Sequence, residues 1–524
     1  MYRSSKIKIL CLVIAVAFLF TAVLAGCGKK AETGGTASTG EVKGTTQVTE
    51  NTQEKMQAEE QKQLEPYNIV WYFPNGIQED LKTVNDEVNK IVTEKINATV
   101  DMKIIDWGQY ADKMNVLVSS GEAFDLCFTS SWSNYYLPMV YKNAYLPLDE
   151  LIEKYAVNYK KAVPAKVLPA NKVKGKTYAM IGLQVLARSS SLIGQKKYFD
   201  KYGVNPDSIK KLEDLTPLFE KIVQNEKGMY PIDVTYKGLL NDYWSALGIE
   251  FISEDNPAGT YYKDPYKVVN LFNTPEFAAH IKLMREWYQK GIIRKDAAIY
   301  KDDTQDRNAG KIVTAINTLN PDTKASLKDY MGDGDPNNVV GVNLSPYYLS
   351  TGAVIATMTA VSRTSKDPDR AVMFYDLLYS KDDTRLSNLI AFGVENKHYK
   401  KVGEDVIQQI PNSGYWLNCA WETGSGFAVY RLDPSQPKWD LGEKINEDAI
   451  ATGLLGFSFD PTPVKSEMTQ FQSVRNEYYP GLVTGSIDPD KNLPIFQEKM
   501  KEAGVDKIIA EVQKQINEWK ASNQ

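Results

Sequence analysis

The chain is 524 residues long, with 61 lysines and arginines against 66 aspartates and glutamates, a net charge of −5 and two histidines. That length exceeds one ordinary domain and can fill at least two cored lobes, while the mild acidity supplies no basic field for nucleic acid. His280 and His398 stand far apart without a cysteine-rich neighbourhood, which argues against a zinc centre or histidine-dependent catalysis; no metal and no cofactor is expected.

Arg3, Lys6 and Lys8 precede an apolar run from Ile9 to Leu24, shorter than the ~20 residues a spanning helix needs. The run closes on Leu24, Ala25, Gly26 and Cys27, a tetrapeptide that resembles the lipobox of bacterial lipoproteins. Residues 1–26 therefore read as a signal peptide cleaved before Cys27. Lipid on that cysteine would hold the mature chain at the extracellular face of the cell membrane, since two or more acyl chains anchor stably where one is marginal. The alternative is an uncleaved anchor helix with an incidental cysteine. Residues 27–65, rich in Gly, Thr, Ser, Gln, Lys and Glu, read as a lipidated, disordered tether. Cys11 leaves with the signal, so only Cys127 and Cys419 remain for a bridge; Cys127, inside the apolar run Phe124 to Phe128, reads as a buried free thiol.

Tyr67 to Phe73 is an apolar strand stopped by Pro74, Asn75 and Gly76. Leu81, Val84, Val88, Ile91, Val92 and Ile96 recur three or four apart and predict an amphipathic helix. A strand over Thr99 to Ile105, a helix over Gln109 to Ser119 bearing Met114, Val116 and Leu117, and a strand over Phe124 to Thr129 complete a β-α-β-α-β pattern. Such alternation implies a parallel sheet covered by helices, with a ligand crevice beyond the carboxyl ends of its strands. Leu212 to Ile222 and Glu276 to Tyr288 read as helices and Lys311 to Ile316 as a strand, enough for a second α/β lobe. Thr351 to Val361 is β-prone and Arg370 to Leu378 helical, as if the chain returned to the first sheet. Ile509, Val512, Ile516 and Trp519 mark a C-terminal amphipathic helix.

The phrases SSGEAFDLCFTSSW (Ser119 to Trp132), NAYLPLDELIEKYA (Asn143 to Ala156) and VKGKTYAM (Val173 to Met180) resemble extracellular solute-binding proteins of ABC importers. LGFSFDPTPVKSEM (Leu455 to Met468) and the stretch from Ile487 to Lys520 resemble the C-terminal region of the large lipoprotein branch associated with carbohydrate uptake in Gram-positive bacteria. The resemblance implies an α/β, two-lobed periplasmic-binding-protein-like (class II) fold with hinge segments and an extended helical C-terminus. By the layout of maltose-binding-like proteins, the N-terminal lobe takes 66–187 and 344–395 and the C-terminal lobe 188–343 and 396–524. It further implies a monomer, not an enzyme, that closes on a carbohydrate, an oligosaccharide by preference, and presents it to permease subunits. A peptide or other nutrient remains the alternative ligand, and a secreted glycoside hydrolase or an adhesive surface lipoprotein the alternative class.

A sugar offers a C–H face and a rim of hydroxyls, so its cleft needs flat rings and forked polar groups. The 9 tryptophans and 31 tyrosines leave rings to spare for such a surface. Trp132 follows a predicted strand at its carboxyl end and resembles a family position where an aromatic lines the cleft; otherwise it belongs to the lobe's surface or core. Trp416 and Trp421 lie in the Gly-rich loop GYWLNCAWETGSG, with Glu422 able to accept from hydroxyls. Trp244 faces either the cleft or a helix-packing core. Asn317 resembles the family's polar loop before its cleft aromatic, although NTLNPD carries no tryptophan there. Asn75, at the end of the first strand, and Arg188, near the first crossing, are placed by geometry, the alternatives being a turn residue and an exposed charge. Glu422 and Asp460 are the one carboxylate pair a hydrolase could use. Asp333, Asp335, Asn337 and Asn338 offer oxygens in one loop, but without the glycine and distal glutamate of an EF-hand they read as a solvated turn.

Overall fold

The computed structural model describes residues 64–522 except 233–234, 236–238, 254, 301–302, 319–334, 433 and 435–438. The signal peptide, Cys27 and nearly all of the expected tether lie outside the described residues. Among the described residues no helix is long and apolar enough to cross a membrane.

Strand β1 (Tyr67–Pro74) buries Ile69, Trp71 and Phe73 on one face and Tyr72 and Pro74 on the other, as a strand inside a sheet covered on both faces does. The Trp71 ring lies 4.4 Å from Phe73 and 5.5 Å from Phe374, centroid to centroid. Helix α1 (Leu81–Ile96) presents Val84, Val88, Val92 and Ile96 to that sheet at four-residue intervals. It ends at Asn97, whose left-handed φ of 47° lets its N–H reach the Thr93 carbonyl. Strand β2 (Ala98–Ile105) then runs parallel to β1, pairing Tyr67 with Ala98 and Pro74 with Ile105. Helix α2 (Trp107–Ser120) starts where Asp106 accepts the Gly108 N–H and stops at Gly121. Its inner face is Tyr110, Met114 and Leu117; Val116, expected beside them, sits off that stripe and is exposed. Strand β3 (Leu126–Thr129) is again parallel to β1.

After β4 (Ala179–Ile181) the chain crosses to a second lobe. There it forms β5 (Ser191–Gln195), β6 (Tyr230–Ile232), β7 (Ile249–Phe251), β8 (Ala258–Tyr261), β9 (Asp264–Asn270), α3 (Pro275–Gln289), β10 (Ile312–Asn317) and β11 (Val339–Asn343). It recrosses at β12 (Tyr348–Leu349) and returns through β13 (Met358–Val361), α4 (Pro368–Leu377) and α5 (Arg385–Phe392). A third crossing at β14 (Ile450–Ala451) leads into α6 (Lys465–Val483), α7 (Pro489–Glu502) and α8 (Val505–Ser522).

The first sheet has the order β2-β1-β3-β13-β4 and is mixed rather than all-parallel, because β13 runs antiparallel to both neighbours. The second has the order β11-β5-β10-β6, and an antiparallel β9-β8-β7 sheet supports the C-terminal helices. Among the described residues one core lies over the first sheet, and the second lobe has two large ones, Phe199, Phe219 and Trp287 over its α/β sheet and Phe272, Phe471 and Phe496 beneath α6 to α8, with a small third of Ile193, Ala315 and Val339. The crossings pair as a ribbon. Arg188 and Tyr348 exchange two backbone hydrogen bonds (2.9 and 2.8 Å), and Ile450 N–H reaches the Tyr347 carbonyl at 2.9 Å.

Two further expectations change. Residues 396–449 do not join the second lobe, because Tyr399, Ile407, Tyr415, Leu417, Phe427 and Ile445 fill the first core; the second lobe resumes at Leu454. Thr351–Val354 coils into a short helix whose Ser350 cap accepts the Ala353 N–H, so only Met358–Val361 of the β-prone stretch is a strand. At the amino end of the first sheet, buried Arg370 donates to the carbonyls of Ile96 (2.6 Å), Asn97 (2.9 Å) and Glu65 (3.1 Å), clasping the chain just before β1.

Candidate functional site: an indole surface on the first lobe

Open α/β sheets take ligands beyond the carboxyl ends of their strands. Three tryptophans meet at that edge of the first sheet. Trp107 opens α2 just past β2, Trp132 follows β3, and Trp421 arrives from the loop between α5 and the third crossing. The ring centroids of Trp107 and Trp132 are 5.4 Å apart at 23°, those of Trp107 and Trp421 5.7 Å at 15°, and those of Trp132 and Trp421 6.5 Å at 24°. The three centroids form a compact triangle with sides of 5.4, 5.7 and 6.5 Å, so the rings cluster with nearly parallel planes. Phe128 meets Trp107 and Trp132 edge-on from below, at 5.8 and 6.0 Å. The Trp132 Nε1 donates to the Ala356 carbonyl at 2.7 Å, which fixes that ring's rotation. Trp132 remains 46 % exposed and Trp421 38 %. Flat, immobilised and partly bare indole faces suit the C–H face of a pyranose.

The polar candidates serve the protein rather than open space. Glu422 is 1 % exposed; its Oε1 accepts from Asn75 Nδ2 at 2.9 Å, while Oε2 is buried with no partner. Burial without a cation pushes its carboxyl up to about 8, against the smaller lowering effect of the Asn75 bond. Asn75 spends its second amide hydrogen on the Leu417 carbonyl and its Oδ1 on the Gly76 N–H, so it is a turn residue and a tie between chain segments.

Trp416 leans on Phe392 (5.0 Å, 37°) at the edge of the first core and takes no part in the indole cluster. Trp244 is buried against Phe277 in the helical core of the second lobe, the packing alternative. Arg188 is no exposed charge: its guanidinium folds back onto the carbonyls of Val185 and Ala187, and burial lowers its pKa to about 10. Asn317 closes β10 opposite Ser191, and most of the loop after it lies outside the described residues. Asp460 accepts the Thr462 N–H in a turn bound to Gln515 of α8, whereas Glu422 is sealed in the first lobe; nothing pairs them as a hydrolase would need. Asp335 caps the Asn337 N–H as a turn residue does, and Asp333 lies outside the described residues. Cys127 and Cys419 are both free and buried, and burial pushes the Cys127 thiol up to about 12. Both histidines are buried: Nε2 of His398 faces Asp80 at 3.1 Å, while His280 lies 5.8 Å from Tyr243.

The sequence reading passed over Trp107. Its signal was available, because it stands just beyond a predicted strand in the same relation to the sheet that singled out Trp132.

Residues 77–385 match the model of the bacterial extracellular solute-binding protein family, and residues 453–521 match a domain of unknown function, DUF3502. A carbohydrate ABC transporter substrate-binding protein of Streptococcus pneumoniae is 27 % identical over 453 residues, 84 % of this chain and 88 % of that one. The crystal structure of the N-glycan transport solute-binding protein NgtS from S. pneumoniae superposes with a TM-score of 0.79 at 24 % identity, covering 88 % of this chain and all of that one. NgtS in complex with Man1GlcNAc superposes at 0.69 and 25 % identity, covering 87 % of this chain and 99 % of that one. A family match over more than half the sequence, on two α/β lobes joined by three crossing segments, places this chain among the bacterial extracellular solute-binding proteins.

Proposed function

We propose that the protein captures an oligosaccharide between its lobes, holds it against Trp107, Trp132 and Trp421, and delivers it intact to the permease of an ABC importer. Lipid on Cys27 keeps it at the outer face of the membrane, where it works as a monomer. The observation that carries the reading is the three-indole surface at the carboxyl edge of the first sheet. Support comes from the S. pneumoniae relatives, one described as a carbohydrate ABC transporter substrate-binding protein and one crystallised with Man1GlcNAc.

Titration calorimetry against Man1GlcNAc, malto-oligosaccharides, oligouronates and short peptides tests it. At least one saccharide should bind and be recovered unchanged by mass spectrometry. Binding confined to peptides would overturn the ligand class, and cleaved sugar would overturn the transport role. In the producing cell, Cys27→Ala should move the protein from the membrane fraction to the medium; retention in the membrane would favour an uncleaved anchor.

A further inference from the structure

Trp421 and Glu422 lie on a short span between two anchored points, the Asn418 N–H on the Ala391 carbonyl (2.9 Å) and the Gly424 N–H on the Tyr375 hydroxyl (3.0 Å). The Asn75 side chain at the end of β1 ties the Leu417 carbonyl (3.2 Å) to Glu422 Oε1 (2.9 Å), across the stretch that carries the exposed indole. The other carboxyl oxygen has no partner and no contact with solvent. The titratable groups that act on Glu422 or feel its charge are Tyr110 from α2, Tyr375 from α4 and Cys419 from its own loop. Burial pushes the ionisation of all three upward, so each stays neutral across the physiological range. Among the described residues no cation compensates this carboxyl, and Asn75 is its one hydrogen-bonding partner.

We propose that Glu422 is a positioning residue that acts as a neutral acid: uncharged, it lets its loop close and seats Trp421 against Trp107, and on losing its proton it draws the loop open to water and unseats that ring. The physical ground is that an ionised carboxylate buried with one amide for a partner is poorly solvated. Rehydration of the anion requires the span between the Asn418 and Gly424 anchors to lift, and Trp421 lifts with it. Retention of the proton up to about 8 sets the range in which the change falls.

The first readout needs no sugar and therefore does not depend on the proposed ligand. Nearly parallel indoles in contact give an exciton couplet in far-ultraviolet circular dichroism, to be followed from pH 6 to pH 9.5 in the full chain. The couplet should diminish with a midpoint near pH 8, without global unfolding by the melting curve. In Glu422→Gln, a neutral isostere, it should persist to pH 9.5. A wild-type couplet flat across this range would overturn the proposal. So would a transition retained in Glu422→Gln, or a couplet already lost at pH 6 in a variant that melts like the wild type. The second readout rests on the carbohydrate reading: wild-type affinity for Man1GlcNAc should fall about tenfold from pH 7 to pH 9, one pH unit above that value, and the fall should vanish in Glu422→Gln. If Man1GlcNAc fails to bind at pH 7 while the couplet behaves as stated, the ligand reading loses its support and the Glu422 assignment stands.

Discussion

Trp107, Trp132 and Trp421 come from a helix start, a strand end and a distant loop, yet their planes agree within 24°. Trp107 touches both others, so Trp107→Ala should remove its own ring area and also release its neighbours. Burying an aromatic face gives about 1.5–3 kcal/mol, so Trp132→Ala should weaken saccharide binding roughly 10–100-fold and Trp107→Ala more, by calorimetry. Glu250 supplies a second prediction at this scale. It is buried on β7, with Oε1 accepting from Thr452 at 2.9 Å and Oε2 unpartnered, and burial pushes its carboxyl up to about 7. The native state keeps this proton while an unfolded glutamate loses it near pH 4.5. Stability should therefore be full below about pH 4.5 and fall as pH rises to about 7, by roughly 3 kcal/mol, then level off for this group. Urea unfolding at pH 5 and pH 7.5 should show a smaller fall in Glu250→Gln than in the wild type. What the sequence showed at this scale followed one rule, that groups beyond strand ends are the candidates to face a ligand, which singled out Trp132, now seen within the indole cluster. It misread Glu422, because a charged residue in a glycine-rich loop is usually solvated, and its burial depends on Asn75, far away in the chain.

The helices were plain in the sequence wherever one face is apolar. In α8, Ile508, Val512 and Ile516 are buried at four-residue spacing, and Gln513 accepts the Val268 N–H at 2.9 Å, docking the helix along β9. The carboxyl-terminal helices are thereby part of the second lobe's core. Phe496 on α7 is fully buried, 5.3 Å from Phe272, whereas its neighbour Ile495 is 48 % exposed. Phe496→Ala should cost about 3–5 kcal/mol in urea unfolding and Ile495→Ala less than about 0.5 kcal/mol. Residues 396–449 were assigned to the wrong lobe because their apolar residues are scattered over short hairpins and loops. Periodicity tells that a segment is buried, not against which body; that depends on long-range contacts such as Tyr415 Oη to the Ile390 carbonyl at 2.7 Å.

At the scale of the molecule, two α/β bodies share a ribbon of three crossing segments, and such a ribbon can bend while its backbone pairs stay intact. Closure follows from a ligand that gains contacts to both lobes. A bound saccharide at about 100 times its dissociation constant should add about 2.7 kcal/mol to stability and reduce the radius of gyration in small-angle scattering. Stabilisation without contraction would mean that one lobe alone makes the contacts. The two-lobe plan was legible from the β-α alternation and the ordered family phrases. The third crossing was not, because a strand of two residues such as β14 carries no pattern.

The clasp made by Arg370 has a mechanical corollary. It grips Glu65 at the amino end of an eight-residue strand, about 25 Å behind the rings that crown its other end. Any pull on the chain ahead of Glu65 would be absorbed at the rear of the first lobe, at the opposite end of the sheet from the three indoles.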